Sequence, residues 1–245
     1  MFLEQNKKDF TDFTRCFLII LAGVMILMFS FTQSMKADPD EEKKVRDQAE
    51  RYLVKTFDEG TEIYDVLYDN MGNRGYFEYA AKVKHEKYGT HFLVFFNDET
   101  GEMEDTFLSD KWQDDAEKEI RPYVEKELGD VLISKEMEGI AESEDWEKIQ
   151  EEIGDYSQLL LVFEEGIGKE LKIDPNKPAS YKDYEVSPTI RITLSRKKQD
   201  ADEDRFTEII NALKKDRVLK HGNMIVDYIS TKGVPLEDED WSKKF

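Results

Sequence analysis

The chain has almost no cysteine, since Cys16 is the only one in 245 residues. Beyond residue 16, disulfide bonds, thiolate metal sites and cysteine nucleophiles are therefore excluded. A disulfide-free domain suits a Gram-positive type of cell surface, but a cytosolic domain would look the same. The cysteine content thus excludes several chemistries and leaves the compartment open.

Histidine and catalytic motifs are equally scarce. The three histidines, His85, His91 and His221, form no H-E-x-x-H pair, so we predict no zinc site. We expect His91 on a sheet and His85 near its edge, in structural or surface roles. No G-x-S-x-G marks a nucleophile elbow. A Ser-His-Asp set that meets only in space stays open.

Two segments resemble motifs for cofactors or metal ions, but each lacks the residues or the flanking element that such a site requires. Gly166-Ile167-Gly168-Lys169 follows a predicted strand, but it lacks both the third glycine and the following helix of a phosphate loop. The acidic runs at 97–99 and 200–204 do not match the EF-hand pattern. We therefore predict a loop at 166–169, solvated turns and helix caps in the acidic runs, and neither a cofactor nor a bound metal.

Positive charge is in deficit, with 35 Lys and Arg against 55 Asp and Glu and a formal charge of −20. The first 35 residues contribute none of this excess. An acidic surface repels nucleic acid and anionic lipid, so we predict no nucleic-acid partner. Cationic partners stay open, and the charge also serves simply to keep an exposed domain soluble.

One long hydrophobic run stands out, the sixteen uncharged residues from Cys16 to Phe31. As a helix they span about 24 Å, and Thr32–Ser34 extend this toward the roughly 30 Å of a bilayer core. The sequence predicts a transmembrane anchor at residues 16–34, after a short tail (1–15) and before a linker (35–40). A cleaved signal peptide is the alternative, although Thr32–Ser34 is its only passable cleavage site.

The orientation of this anchor follows from two opposed signals. Three basic residues precede the span and at least four follow it closely, so the positive-inside rule does not favour export of the C-terminal part. A short basic tail before an N-terminal span is nevertheless the ordinary signal-anchor arrangement, and long domains cross the membrane largely regardless of charge. We predict a single-pass protein with a cytoplasmic N-terminus and an extracytoplasmic C-terminal region.

Hydrophobic periodicity divides the remainder into two modules and an acidic tail, residues 41–129, 130–236 and 237–245. The first module should contain a helix ending before Gly60, strands near 63–68, 77–83, 91–96 and 103–108, and a helix from about Trp112 to Leu128 that Pro122 kinks or restarts. The second should contain a short helix at 143–153, strands near 159–163, 190–194 and 224–230, and a helix capped by Asp202. The predicted class is α+β, with an N-terminal transmembrane helix and two small antiparallel-sheet-plus-helix units.

The order helix, strand, strand, strand, followed by the turn in FFNDETGEM, resembles PepSY-type and cystatin-like extracytoplasmic modules over residues 41–108. Their turn has the form Asp-x-x-Thr-Gly-Glu, and Asn97 stands here in place of the aspartate. The resemblance implies a small antiparallel sheet on one helix, linked to a membrane and used for protein contacts or inhibition. The same residues also make a good hairpin turn in any protein.

Four tyrosines cluster in the predicted first sheet, Tyr64, Tyr68, Tyr76 and Tyr79. They form either an exposed surface for peptide or glycan or a set of buried cross-strand pairs. With no catalytic motif in view, the sequence favours a non-catalytic interaction or accessory module at a bacterial cell surface, with a protein or cell-wall partner. A cell-envelope hydrolase with a spatially assembled carboxylate or serine site, and a membrane-presented inhibitor or regulator, are the alternatives.

Overall fold

The protein is a mixed α+β structure with two sheets. A computed structural model describes residues 37–58, 60–141, 156–164, 166–230, 234–236 and 240–245. The helices are α1 (Pro39–Thr56), α2 (Phe107–Leu128), α3 (Ser134–Ala141), α4 (Ile167–Glu170) and α5 (Asp202–Lys215). The strands are β1 (Thr61–Tyr68), β2 (Tyr79–His85), β3 (Thr90–Asn97), β4 (Glu102–Asp105), β5 (Val131–Ile133), β6 (Ser157–Val162), β7 (Thr189–Leu194), β8 (Asn223–Tyr228) and β9 (Trp241–Lys244).

The first sheet is an antiparallel meander in the order β1-β2-β3-β4, and α1 covers one of its faces. This helix begins where Asp38 accepts a hydrogen bond from the backbone N–H of Asp40, with Pro39 in the first turn. Its buried Ala49 and Leu53 pack with alternate residues of β2 and β3 in the first core. Helix and sheet have the arrangement that the PepSY-type resemblance implies, while membership of that family stays a prediction.

The second sheet has the order β5-β6-β7-β8-β9 and is mixed, so its predicted antiparallel form is wrong. β5 runs parallel to β6, and β7 runs parallel to β8. Parallel neighbours require a crossover, and α5 provides the one between β7 and β8. Alternation of side chains along a strand reports which face is buried but not the direction of the neighbouring strand.

Helix α2 lies between the two sheets and contributes to both cores. Phe107 is buried in the first core with α1, whereas the next residue, Leu108, belongs to the second core. The remaining apolar face of α2, with Trp112 and Ile120, packs in the second core. The helix continues through Pro122. We call α1 with the first sheet the first unit, and the second sheet with α3–α5 the second unit; the predicted division into domains stays a prediction.

Other boundaries differ from the expectations. β4 ends at Asp105 because α2 begins at Phe107, so the strand expected over 103–108 is shorter. Residues 241–244, expected in the acidic tail, form the edge strand β9 beside β8. Asp202 is the first residue of α5 instead of its cap, which is Ala201. The helix expected at 143–153 falls outside the described residues.

None of the helices in the described ranges combines the length and the apolar character needed to cross a bilayer. The predicted anchor at residues 16–34 lies outside those ranges. The anchor, its single pass and its orientation therefore stay predictions.

Candidate functional site

The face of the first sheet that points away from α1 is here called the outer face. Side chains alternate along a strand, so Ala81 and Val83 of β2 pack with α1 in the first core, whereas Lys82 lies on the outer face. The outer face also carries Leu67 of β1 and Leu93 of β3. Part of it is closed by a small apolar cluster of Phe77, Ala80 and Phe95, with Leu67, Tyr76 and Leu93 packed against it.

A cavity of about 460 Å³ separates the outer face from α2 and the second unit, and we call it the groove. It forms because α2 leaves β4 beside Leu93, where Thr106 and Leu93 exchange hydrogen bonds, and then runs past β3. The first unit lines it with Tyr64, Leu67, Arg74, Lys82, His91 and Leu93, and α2 and the second unit with Ser109, Asp110, Gln113, Asp114, Ser134, Lys135, Val162 and Phe163. Its lining mixes apolar and aromatic side chains with at least as many polar and charged ones.

Charges in the groove are nearly balanced, in contrast to the chain as a whole. Its three basic and two acidic side chains lie in a protein of formal charge −20. Lys135 contacts Asp114 at 2.8 Å and donates to the carbonyl of Gly89, which ties the second unit to the β2–β3 turn. Lys82 pairs with Asp65 at 3.1 Å. Such partly exposed pairs position side chains more than they stabilise the fold.

The structure divides the four predicted tyrosines between the two faces of the sheet. Tyr64 lies on the outer face, 46% exposed, with its ring 5.2 Å from that of His91. Tyr76 contacts Phe95 in the apolar cluster. Tyr68 and Tyr79 form a stacked cross-strand pair with ring centroids 4.7 Å apart. The four therefore do not form one surface, and whether any of them binds a partner stays a prediction.

The Tyr68–Tyr79 pair lies beside the start of α1. The Tyr79 hydroxyl accepts a hydrogen bond from the backbone N–H of Asp38 at 3.0 Å. This contact holds the first residues of α1 at the end of the sheet where β1 ends and β2 begins.

Sequence reasoning missed Glu117, a carboxylate 1% exposed on the second-core side of α2. It accepts hydrogen bonds from the backbone N–H and the hydroxyl of Ser134, at 3.0 and 2.6 Å, and from the backbone N–H of Leu161 at 3.2 Å. Burial raises the pKa of Glu117, and these hydrogen bonds oppose the rise. A signal was available, because position 117 shares a helical face with Ile120 and Val124.

Asp105, the last residue of β4, contacts both α1 and the start of α2. Its carboxylate accepts a hydrogen bond from the Tyr52 hydroxyl of α1 at 2.5 Å and another from the backbone N–H of Phe107 at 2.9 Å. Burial raises the pKa of Asp105, although these two hydrogen bonds favour its charged form. Asp105 thus links α1 to the first turn of α2, as a structural acceptor.

The expectation of a loop at Gly166–Lys169 is wrong, because this segment forms most of the short helix α4 and part of the contact between the units. Gly168 packs against Leu108, where a Cβ would lie 3.2 Å from the Leu108 Cβ. Lys169 bridges Glu102 and Glu104 of β4. These contacts seat the segment beside a second cavity of about 330 Å³ between α1, β4 and α4.

His85 is the last residue of β2, which is a central strand, so it lies at the end of a strand and not on an edge strand, and it is 4% exposed. Its ring lies against Phe57, Tyr88 and Phe107, and its Nδ1 has no hydrogen-bond partner. Burial lowers the pKa of His85, the charge of Lys87 adds to this, and Glu86 opposes it. The side chain therefore serves as a neutral aromatic ring where the first sheet meets α2.

Within the described residues, no three His, Cys, Asp or Glu side chains are grouped so as to hold a metal ion. Comparison with known proteins assigns no family: no protein-family model, no curated protein and no solved structure matches the chain.

Proposed function

We propose that the protein is a single-pass, membrane-anchored, non-catalytic interaction module at a bacterial cell surface, and that it binds its partner in the groove. Residues 16–34 are the anchor and the described part of the chain is extracytoplasmic. The observation that carries the proposal is the groove itself, a cavity of about 460 Å³ with a mixed apolar and polar lining and nearly balanced charge in a strongly acidic chain. Binding sites are usually concave and carry polar groups that orient the ligand.

The roles of the buried carboxylates support binding over catalysis. A general acid with a raised pKa needs an open path to its substrate. Glu117 is 1% exposed, and its carboxylate accepts hydrogen bonds from the backbone N–H groups of Ser134 and Leu161. Asp105 lines the second cavity, but its carboxylate is held by the Tyr52 hydroxyl and the backbone N–H of Phe107. Both carboxylates are engaged by hydrogen bonds within the fold, and the hydrolase therefore ranks second.

The test of the interaction compares two exposed valines in crosslinked membranes. Val162, 46% exposed, lines the groove, whereas Val54, 85% exposed, lies on α1 on the other side of the first sheet. In affinity purification of the full-length chain, we expect Val162→Asp to reduce recovery of the partner at least fivefold and Val54→Asp to leave it unchanged. Equal recovery with both variants contradicts binding in the groove.

The membrane part has its own measurement. The full-length chain should resist carbonate extraction from membranes, and protease added to intact spheroplasts should remove the region beyond residue 36. Release by carbonate contradicts the anchor, and full protection from protease contradicts the orientation.

A further inference from the structure

The second unit carries a cluster of exposed basic side chains at one end of its sheet. We call this cluster the basic patch. Two of its members end α5, two lie in the turn between α5 and β8, and two lie on the edge strand β9: Lys214, Lys215, Arg217, Lys220, Lys243 and Lys244. The whole chain has a formal charge of −20, so the patch has the opposite sign to the protein around it.

The fold brings the three segments of the basic patch together. Buried Val218 and Leu219 anchor the turn in the second core. β9 runs antiparallel to β8 and so returns its lysines to the start of β8, where two hydrogen bonds of 3.0 Å join Gly222 to Phe245. The Nζ of Lys214 lies 5.9 Å from the centre of the Phe245 ring, which places the end of α5 against the end of β9. The patch is therefore one surface and not a run of lysines along the chain.

The six side chains of the basic patch are free of salt bridges. Among the described residues none of them pairs with a carboxylate, whereas Arg191, Arg196 and Lys198 of the same unit each do. Cations stabilise the C-terminus of a helix, which explains the two lysines that end α5 but neither Lys220 nor the lysines of β9. Like charges at close range repel each other. The patch thus offers several unneutralised donors to an anionic ligand.

A small cavity of about 60 Å³ borders the basic patch and indicates the kind of anion. Arg217, Lys220 and His221 line it, together with Lys182, which is already in an ion pair, and Glu185. Its volume equals that of roughly two water molecules in the liquid, so it admits one compact group and no sugar ring. Phosphate is such a group, and its oxygens accept several charged hydrogen bonds from Arg and Lys.

The charge of the surrounding surface indicates the shape of the partner. A flat anionic bilayer on the patch would also approach the acidic surface around it, to within the roughly 8 Å over which charges interact in physiological salt. A narrow, flexible polyanion can contact the patch alone. Single-stranded nucleic acid stacks its bases on aromatic side chains. None of the exposed large apolar side chains in the described ranges belongs to the patch, so a phosphate polymer without bases fits best.

We infer that the basic patch binds a linear phosphodiester polymer of the cell envelope, a chain of polyol units joined by phosphates. One phosphate lies in the small cavity beside Arg217 and Lys220, and neighbouring phosphates contact the lysines of α5 and β9. The inference rests on the extracytoplasmic placement in the proposed function and names a wall component as a second partner. The groove stays available, because no residue of the patch belongs to its lining.

The test measures the binding of fluorescently labelled poly(glycerol phosphate) to the full-length chain in nonionic detergent at physiological ionic strength. The patch variant combines Lys215→Gln, Lys220→Gln and Lys243→Gln. The control variant removes the same amount of charge at exposed lysines on α1, β2 and α2: Lys55→Gln, Lys84→Gln and Lys118→Gln. We expect at least fivefold weaker binding by the patch variant and unchanged binding by the control variant, with thermal unfolding showing that both are folded. Added salt should weaken the binding of the parent.

Competitors identify the anion that the patch binds. Polyglutamate of equal charge and vesicles that contain phosphatidylglycerol should displace the labelled polymer at least fivefold less well than unlabelled poly(glycerol phosphate) does. Equal displacement by polyglutamate overturns the inference and assigns the patch to an acidic polypeptide, and equal displacement by vesicles assigns it to the bilayer. Equal binding by the patch and control variants, or no binding by the parent, overturns the patch as a site.

The outcomes separate this inference from the function beneath it. Val162→Asp in the groove should leave polymer binding unchanged, and a loss of polymer binding in this variant overturns the patch as a separate surface. Failure of polymer binding alone removes this inference and leaves the groove in place. Full protection from protease in spheroplasts instead removes the extracytoplasmic placement, on which both proposals depend.

Discussion

Each core of the protein contains buried titratable side chains, but His85 of the first core differs from Glu117 and Asp202 of the second in its hydrogen bonding. The first core is rich in aromatic rings, and His85 within it leaves Nδ1 without a partner. The second core is largely aliphatic, and its buried carboxylates are fully engaged. Asp202 bonds both nitrogens of the Arg196 fork, at 2.8 and 2.9 Å, and also the hydroxyl of Tyr228. Burial acts against it, yet these partners hold the pKa of Asp202 below its usual value.

The difference concerns how each core responds to perturbation. A satisfied carboxylate specifies the positions of its partners, so its removal leaves several groups unpaired. A buried imidazole without a partner contributes as an apolar ring, and its penalty appears only when it gains a proton. The second core should thus be sensitive to truncation of its polar groups, and the first to acid.

The largest effects should come from Phe107 and Leu108, neighbours that enter different cores. Phe107→Ala should lower the free energy of unfolding by about 3 to 5 kcal/mol because it leaves a cavity. Hydrogen exchange should then accelerate in β2 and β3 more than in β6 and β7, and Leu108→Ala should show the reverse. Equal acceleration in both sheets would mean that the two cores open as one unit.

Removal of Glu117 tests the carboxylate of the second core. Glu117→Ala leaves the N–H groups of Ser134 and Leu161 without their acceptor, so urea unfolding should show a loss of about 3 kcal/mol. Glu117→Gln retains one acceptor oxygen and should lose less. If both variants lose the same free energy of unfolding, the charge of Glu117 stabilises the fold and its hydrogen bonds do not.

Acid should act through His85 on the first core. Because the folded pKa of His85 lies below its usual value, the unfolded chain binds this proton first as the pH falls below about 6.5. The free energy of unfolding should therefore fall with pH from there down to the folded pKa. His85→Phe should reduce this dependence in urea titrations at pH 7.5 and 5.5, and His221→Gln, at an exposed position, should not. Identical pH dependence in the His85→Phe variant and the parent would assign the effect to other groups.

The smallest effect concerns the contact between the units at α4. In Gly168→Ala the new Cβ would lie 3.2 and 3.3 Å from atoms of Leu108, so we expect a cost of about 1 kcal/mol in thermal or urea unfolding. Gly139→Ala in α3 has open space around its Cβ and should be neutral or slightly stabilising. A Gly168→Ala variant as stable as the parent would show that α4 shifts freely on α2.

Local patterns predicted much of the first unit. Alternation identified β2, the apolar run 91–96 identified β3, and helical periodicity identified α1 and α2. β5 is apolar but has only three residues, too few to show a period, and β9 carries two lysines on an edge strand, so neither strand was predicted. Parallel pairing in the second sheet depends on crossovers and not on any one strand.

Only part of the groove lining could be predicted from the sequence. Tyr64 was selected from the sequence, but its neighbours across the groove, Lys135, Val162 and Phe163, come from about 70 to 100 residues farther along the chain. No local pattern brings such residues together. Glu117 did carry a local signal, a carboxylate on an apolar helical face, and a buried acceptor could have been expected there.

The adjacency of Phe107 and Leu108 also has a mechanical consequence for binding. Because consecutive residues of α2 are locked into separate cores, the helix cannot roll toward one sheet without lifting out of the other. The spacing between the outer face and the α2 side of the groove is therefore set before any partner arrives. A rigid receptor of this kind loses little conformational entropy on association, so the ordering required for binding falls on the partner.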